Sequence, residues 1–306
     1  MNAEEFALLV NNQKVIFNAI REMGERIDEV KINEGRILSR MNENRSATEL
    51  QGYEFKVFSQ WGEDGIIQHL IKNIEIPKKT FIEFGVEDFS ESNCRFLMMK
   101  DNWKGFVIDG SKENIDRLRN SYYFWRHDLQ AVDAFITREN INDLLARSGF
   151  DSDVGILSID IDGNDYHVLQ AITYFRPRIL ICEYNAVLGP TRKIAVPYDP
   201  AFQRLAKHHS GLYYGASLAA FTFLAESRGY SLVGVNGAGI NAFFVRKDLL
   251  SEHLTPVTVE VGYRSSMHRD TRDENGRLTF IATHERLKVI AGLPVINVET
   301  QTSEFI

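Results

Sequence analysis

The stretch FIEFGVED, residues 81–88, decides the fold. Its apolar first half predicts a short buried strand, and Gly85 permits the tight turn at which that strand ends. Similar apolar runs alternate with helical patterns further along the chain. Strands are predicted at 81–84, 105–108, 122–125, 154–159 and 179–182, and helices at 94–99, 113–120, 141–146 and 166–172. Strands joined by helices need right-handed crossovers and form a parallel sheet with both faces covered.

The segment after the fifth strand closes this sheet differently. A helix is predicted at 218–227, and strands at 230–235 and 241–245. The gap between these two strands is too short for a crossover helix, so they form an antiparallel hairpin. We therefore predict an α/β fold, a Rossmann-like, doubly wound, seven-stranded sheet with a C-terminal antiparallel hairpin, in a domain spanning 53–248. The extension, 249–306, is predicted to hold a strand at 257–261 and a turn at 274–276.

Residues 1–45 carry a pattern typical of a coiled-coil helix. Apolar residues recur at alternating steps of three and four, and charges of both signs lie between them. The seam consists of Phe6, Leu9, Gln13, Ile16, Ile20, Met23, Ile27, Val30, Glu34, Ile37 and Met41. Isoleucine occupies both rows of this seam, which favours a homo-oligomer larger than a dimer. The alternative is one amphipathic helix packed on its own domain. A polar linker is predicted at 42–52.

The composition argues against several classes of protein. A formal net charge of -7 gives no overall positive field, so nucleic acid is not the expected partner. The start, MNAEEFALLV, has no basic region and no long apolar core, which predicts a cytoplasmic location. The uncharged stretches 208–225 and 229–245 are broken by polar residues, so no transmembrane segment is expected. Cys94 and Cys182 lie in apolar runs, as buried thiols in a reducing compartment do.

The predicted strand ends carry acidic residues in place of a dinucleotide motif. The spacing of a GxGxxG loop places Glu87 where a glycine is expected, and a glutamate there repels a pyrophosphate. It suits a ligand that bears an ammonium and a sulfonium, such as S-adenosylmethionine. Asp109 follows Gly85 by 24 residues, about the distance at which an acid meets ribose hydroxyls. Asp128, after the predicted third strand, is placed to accept from the adenine amino group.

These motifs resemble those of class I S-adenosylmethionine-dependent methyltransferases. FIEFGVE is similar to the first motif of that family, VIDGS to the second, and SLVGVN with NAFFVRK to its antiparallel end. The resemblance covers about 53–248 and is strongest to FkbM-like and TylF-like sugar O-methyltransferases, in which a segment before the first strand, here SQWGED at 59–64, also holds the cofactor. Glu87 replaces the family's second glycine. The resemblance implies a cofactor site formed by Gln60, Glu83, Gly85, Glu87, Asn93, Asp109, Gly110, Ser111, Asp128 and Asp160.

Two further acidic clusters follow the fourth and fifth predicted strands, IDIDGND at 159–165 and CEYN at 182–185. Oxygen ligands of this kind suit Mg²⁺, Mn²⁺ or Ca²⁺, and a bound cation lowers the pKa of an alcohol. The spacing resembles metal-dependent sugar methyltransferases, which implies Asp160 and Glu183 as ligands of Mg or Mn, with Asp162 as a ligand or general base. The alternative is that these acids cap helices or bind backbone amides. Without a metal, His167, His208 or His209 would take the proton.

The segment 185–217 is rich in aromatic and basic side chains, which suit sugar rings and phosphate or carboxylate groups. A solvated lid with no substrate role is the alternative. The expected function is that of a cytoplasmic, S-adenosylmethionine-dependent O-methyltransferase, acting on a sugar hydroxyl of a polysaccharide or another glycosylated product. The alternatives are a nicotinamide-dependent oxidoreductase and a non-catalytic coiled-coil scaffold.

Overall fold

The computed structural model describes residues 2–306, apart from the side chain of Ala3. The helices are α1 (Ala3–Glu43), α2 (Glu63–Asn73), α3 (Arg95–Asp101), α4 (Lys112–Arg119), α5 (Ile141–Ala146), α6 (Asp165–Ala171), α7 (Arg204–Lys207), α8 (Leu218–Ser227), α9 (Val259–Gly262) and α10 (Thr283–Val289). The strands are β1 (Thr80–Phe84), β2 (Lys104–Asp109), β3 (Leu129–Asp133), β4 (Ile156–Ile159), β5 (Ile179–Glu183), β6 (Ile194–Ala195), β7 (Tyr230–Val235), β8 (Asn241–Arg246), β9 (Pro294–Asn297) and β10 (Thr302–Phe305).

The main sheet has seven strands in the order β3-β2-β1-β4-β5-β8-β7. The first five strands in this order run parallel, whereas β8 is antiparallel to both β5 and β7. The chain starts at β1 in the centre, runs outward to β3, and returns to β4 on the other side of β1. The predicted doubly wound sheet and its C-terminal antiparallel hairpin are therefore confirmed.

Both faces of the sheet are buried because alternate strand residues point to opposite sides. On β1, Ile82 and Phe84 join an apolar cluster with side chains of α5, α6 and α8. Phe81, directly before Ile82, joins the cluster that α2, α3 and α4 complete on the other face. Strands buried on both faces read as continuous apolar runs, which is why the sequence revealed them.

The predicted third strand is wrong. Residues 122–125 form turns, and β3 lies at Leu129–Asp133, where it pairs with β2. The aromatic run contacts α1 instead: the Tyr122 hydroxyl donates to Asp28 at 2.7 Å. Arg126, just beyond the run, pairs with Glu25 at 2.9 Å. Its apolar character therefore reflects a contact made by a distant part of the chain.

The C-terminal extension packs on the loop that follows β5. Strand β9 pairs with β10 and with β6, which lies in that loop, so the three form a small antiparallel sheet. Arg192 and Lys193 of the loop pair with Glu304 and Glu299 of the extension at 2.7 and 2.8 Å. The strand predicted at 257–261 is wrong, because α9 lies there. The turn at 274–276 is confirmed by the bridge between the residues that flank it, Arg272 and Leu278.

Helix α1 has two different stripes along its length. One stripe packs on the domain: Asp28 pairs with Arg95 at 2.5 Å and Ile32 is buried. A Cβ on Gly35 would lie 2.6 Å from the Phe96 ring, so this glycine allows the helix to approach closely. The nine apolar seam residues from Phe6 to Met41 do not take part, and all are exposed. No helix among residues 2–306 is long and apolar enough to cross a membrane.

Candidate active site

A cavity of about 590 Å³ lies at the carboxyl edge of the sheet, beyond the ends of β1, β2, β4 and β5. Ligands of open α/β sheets bind at this edge, and small-molecule sites of about 300–1,000 Å³ are usual. We call the part beyond β1, β2 and β3 the cofactor half, and the part beyond β4, β5 and β8 the acceptor half.

Main-chain turns shape the cofactor half. Gly85 has a φ of +69°, and a Cβ at this position would overlap the carbonyl oxygen of Asp160. Only glycine fits there, because a side chain would meet rigid main chain as well as an unfavourable φ. The carboxylate of Asp109 accepts the amide N–H of Glu87 and that of Ser111, both at 2.8 Å. This carboxylate thus holds the ends of β1 and β2 together at the cavity wall.

The predicted segment before β1 also reaches the cavity. Asp64 accepts the amides of residues 57–59 at 2.7–2.8 Å, and burial raises its pKa to about 6. Glu63 accepts the Trp61 amide at 2.8 Å and both carboxamides of Asn236 and Asn241. These bonds fix the turn that carries Gln60, which lines the cavity.

Glu83 lies at the cavity wall, but its carboxylate binds the protein itself. It accepts from the Ser92 hydroxyl at 2.6 Å and from the amides of Asn93 and Cys94 at 2.7 and 3.2 Å. Burial raises the pKa of Glu83 to about 7. Its evident task is to hold the turn before α3, which brings Asn93 to the cavity.

Two predicted cofactor residues lie elsewhere. Asp128 precedes β3, so it lies at the opposite edge of the sheet, where it pairs with Lys104 at 2.7 Å. Ser111 does not line the cavity; its hydroxyl caps α4. The true end of β3 contributes Phe135 to the cavity wall instead. The eight remaining residues of the predicted cofactor set all line the cavity: Gln60, Glu83, Gly85, Glu87, Asn93, Asp109, Gly110 and Asp160.

Three carboxyl groups meet in the acceptor half. Oxygens of Asp160, Asp165 and Glu183 lie within 4.8 Å of one another. Asp165 accepts the amides of Ile161 and Gly163, each at 2.8 Å, so it is committed to the loop. Burial and the neighbouring acids raise the pKa of both Asp160 and Glu183 well above the usual range. Asp160 and Glu183 therefore form a pair that needs a proton or a cation between them at neutral pH.

Asp162 does not join this cluster. Its φ is +56° and its side chain points outward, 61% exposed, to an ion pair with Arg204 at 2.7 Å. The same guanidinium donates to the carbonyl of Gly211 at 2.6 Å and lies 3.9 Å above the Tyr214 ring. Of the predicted metal ligands Asp160, Asp162 and Glu183, the structure thus brings only Asp160 and Glu183 together.

Neither predicted catalytic histidine lines the cavity. The Nε2 of His167 lies 2.9 Å from the Val196 carbonyl, and burial lowers the pKa of this histidine. His208 lies 2.8 Å from the Ser210 hydroxyl through Nδ1, beside His209. Both side chains hold the loop after β5 in place.

The extension supplies wall residues that the sequence did not predict. His268 lies in the cavity with its Nε2 3.3 Å from Asp270 and its ring edge-on to Trp61. Arg286 of α10 is 2% exposed and lines the same wall. The sequence around Arg286 shows only a basic residue on a short helix and does not indicate a place in the cavity. Arg286 reaches the cavity because the extension packs on the loop.

Within residues 2–306, four buried polar atoms of the cavity wall have no hydrogen-bond partner. They are the Oδ1 atoms of Asn164 and Asn241, the Oε2 of Glu183 and the Nη2 of Arg286. The Nδ2 atom of each asparagine fixes the orientation of its carboxamide. Asn164 Nδ2 donates to the Asp199 carbonyl, and Asn241 Nδ2 donates to Glu63. All four residues are less than a tenth exposed. Orphaned buried polar groups are costly, so their concentration here points to a polar ligand.

No family model matches this sequence, and no curated protein matches it. Solved structures with a similar fold do occur. An O-methyltransferase from Bacillus cereus, in complex with S-adenosylhomocysteine, is 13% identical; the match covers 70% of this chain and 89% of that one, with a TM-score of 0.37. The geranyl diphosphate C-methyltransferase of Streptomyces coelicolor, in complex with Mg²⁺, geranyl diphosphate and S-adenosylhomocysteine, is 9% identical. That match covers 60% of this chain and 81% of the other, with a TM-score of 0.39. Because these sequence identities and TM-scores are low, the function has to be argued from the residues of the cavity.

Proposed function

We propose that this chain is an S-adenosylmethionine-dependent O-methyltransferase that acts on a sugar hydroxyl. The observation that carries the proposal is the sheet order β3-β2-β1-β4-β5-β8-β7 with β8 antiparallel, together with a cavity at the ends of β1 and β4. The class I methyltransferases that the motifs resemble have this antiparallel end, and dinucleotide-binding sheets lack it.

The charge of the cofactor half supports the same choice. Glu87 lies at the cavity wall, and burial followed by the repulsion of Asp109 raises its pKa. Asp88, Asp162 and Glu91 add to this negative field. A pyrophosphate would meet repulsion here, whereas a sulfonium and an ammonium would be attracted. The nicotinamide-dependent oxidoreductase is therefore the weaker candidate.

The residues beyond β1, β2 and β3 can bind the separate parts of the cofactor. Asp109 can accept from the ribose hydroxyls, since each carboxylate oxygen accepts one amide and keeps a second lone pair. Phe135, 48% exposed at the cavity wall, offers a face for the adenine ring. Asn93 and Gln60 lie at the same wall and can bind the amino-acid end.

For the acceptor half we propose a divalent cation, Mg²⁺ or Mn²⁺, held by Asp160 and Glu183. The unpartnered Oε2 of Glu183 and the all-oxygen donor set fit such an ion. When bound, the ion would lower the pKa of the acceptor hydroxyl. Arg204 pairs with Asp162 and also attracts the pair, but the pKa of Asp160 and that of Glu183 stay raised, so the pair still needs a proton or a cation.

In the reaction, the hydroxyl oxygen forms a bond to the methyl carbon while the carbon–sulfur bond breaks and its electron pair returns to sulfur. The products are a methyl ether, S-adenosylhomocysteine and one proton. Asp162 is paired with Arg204 outside the cluster, but it lines the cavity and its charge acts on Asp160 and Glu183, so it is the proposed acceptor of the proton. His268, oriented by Asp270, is the candidate base if no cation binds, since a histidine held by a carboxylate is a common general base.

Calorimetric titration with S-adenosylhomocysteine and with NADH tests the proposal. We expect the first to bind and the second not to bind. Binding of NADH alone would support an oxidoreductase, and binding of neither would support a scaffold built on the coiled coil.

We further propose that α1 joins copies of this chain into a homo-oligomer through its seam. The docking stripe with Asp28 and Ile32 is occupied by the domain, while the seam faces away from it and repeats over about five heptads. Replacing Ile20 and Ile27 by Glu should lower the particle mass in light scattering. The matched control replaces Asn11 and Asn18 by Glu on the opposite side of the heptad. Equal masses for both variants would contradict the assembly.

A further inference from the structure

We propose that Arg286 binds an anionic group of the acceptor, a carboxylate or a phosphate, so that the substrate is an acidic or phosphorylated sugar rather than a neutral one. This inference rests on the proposed function and narrows its substrate class. Its starting point is a guanidinium that is almost fully buried in the acceptor half of the cavity and incompletely bonded.

The partners of Arg286 are main-chain atoms. Its Nε donates to the Ile281 carbonyl at 3.3 Å and its Nη1 to the Ser266 carbonyl at 3.1 Å, while Nη2 has no partner. These carbonyls orient the guanidinium but do not neutralise it. A buried charge without a counterion is unfavourable, and a ligand anion would supply one.

The electrostatic surroundings agree with this view. Burial lowers the pKa of Arg286, followed by repulsion from Arg269, and Asp270 offsets this only in part. Asp270 itself is paired with His268 at 3.3 Å. The positive end of the wall is therefore formed by the extension, while the negative end is the pair of Asp160 and Glu183.

The other orphaned atoms describe the rest of the ligand. Asn164 Oδ1 and Asn241 Oδ1 are acceptors, which suit hydroxyl donors, while Glu183 Oε2 is the atom proposed to face the cation. Arg286 Nη2 is the single donor of the set, and a guanidinium matches a carboxylate or phosphate with planar, paired hydrogen bonds. A ring with hydroxyls and one anionic substituent satisfies the two carboxamide oxygens and the guanidinium, whereas a neutral sugar leaves the guanidinium without a counter-charge.

The experiment compares three probes on the full chain: glucose, glucuronate and glucose 1-phosphate. Each is titrated by calorimetry with and without saturating S-adenosylhomocysteine. We expect at least one of the two anions to bind about tenfold or more tightly than glucose, the scale of a hydrogen bond to a charged group. The two anions distinguish a carboxylate from a phosphate. Equal affinity for all three, or no binding of either anion, would overturn the inference.

Arg286→Met should abolish the preference for the anion and leave the affinity for S-adenosylhomocysteine unchanged. The matched control is Arg277→Met, on an exposed turn of the same extension, which should keep the preference. If the Met variant does not fold, Arg286→Lys is the second variant. It keeps the positive charge but lacks the paired N–H donors of the guanidinium, so it should weaken anion binding several-fold. Unchanged anion affinity in either Arg286 variant would refute the site. Failure of S-adenosylhomocysteine to bind, with anion discrimination intact, would refute methyl transfer alone.

Discussion

The two halves of the cavity are built by opposite means. The cofactor half is formed by main-chain turns, and its acids, such as Asp109 and Glu83, accept hydrogen bonds from the protein. The acceptor half is formed by charged side chains from four separate segments, and four of its buried polar atoms have no partner. The first half is complete without a ligand, whereas the second is not. Substitutions should therefore affect folding and cofactor affinity in one half, and turnover in the other.

The largest effect is expected at Gly85. Gly85→Ala places a Cβ against the Asp160 carbonyl and imposes a positive φ, so the free energy of unfolding should fall by about 3 kcal/mol or more. Binding of S-adenosylhomocysteine should be lost. The matched control is Gly149→Ala, which has a similar φ of +66° but open space around the new Cβ. It should cost only about 1 kcal/mol in urea unfolding. Equal losses of unfolding free energy in the two variants would show that contact between the new Cβ and the Asp160 carbonyl does not destabilise Gly85→Ala.

Removal of the cation comes next. Chelation or Glu183→Gln should lower kcat by roughly 10²-fold or more, while the affinity for S-adenosylhomocysteine changes little, because the ion acts on the acceptor. Asp162→Asn should lower kcat on a similar scale, about 10²-fold, if it is the base. Mn²⁺ should raise the Tm of the natural chain and not that of the Gln variant. Full activity after exhaustive chelation would remove the cation and leave His268 as the candidate base.

Asp109 should affect cofactor affinity, together with the turn that its carboxylate holds through two main-chain amides. Asp109→Ala should weaken S-adenosylhomocysteine binding by about 1.5 to 3 kcal/mol, because hydrogen bonds to a charged acceptor lie in that range. Asp128→Ala, at the other edge of the sheet, is the control and should bind as the natural chain does. Equal affinity of the two variants would place the ribose elsewhere.

The smallest effect concerns pH. The pKa of Glu83 is raised from 4.5 to about 7 in the folded chain, so the folded state binds more protons than the unfolded state between these values. Its contribution to stability is present at low pH and is lost as pH rises. Between about pH 5 and pH 8, the natural chain should lose about 1 to 3 kcal/mol relative to Glu83→Gln. Asp64 and Asp165 titrate in both chains, so their contributions cancel when the stability of one chain is subtracted from that of the other. A constant difference between the two chains would contradict the raised pKa.

The sequence revealed the sheet because buried parallel strands are continuous apolar runs, and because acids after such runs must meet at one edge. This is how Asp109, Asp160 and Glu183 were predicted. The error at 122–125 has the opposite cause: an aromatic run looks like a strand, although its partner is α1, far away in sequence. Arg286 and His268 could not be predicted, since contacts of the extension with distant loops bring them to the cavity and no local pattern encodes those contacts.

If the proposed assembly and the proposed polysaccharide acceptor hold, the length of helix α1 has a consequence for the reaction. The helix has 41 residues and is about 60 Å long, and its side chains from Glu4 to Gly24 are almost all exposed, so roughly half of it projects from the domain. The docked half is fixed by Asp28 and Arg95, so a bundle of the projecting halves would hold its catalytic cavities at set distances around one stalk. A polysaccharide bound at one cavity would then present its neighbouring units to the others at high effective concentration. The enzyme would then modify one polysaccharide molecule many times before releasing it. This property would come from the helix and not from the active site.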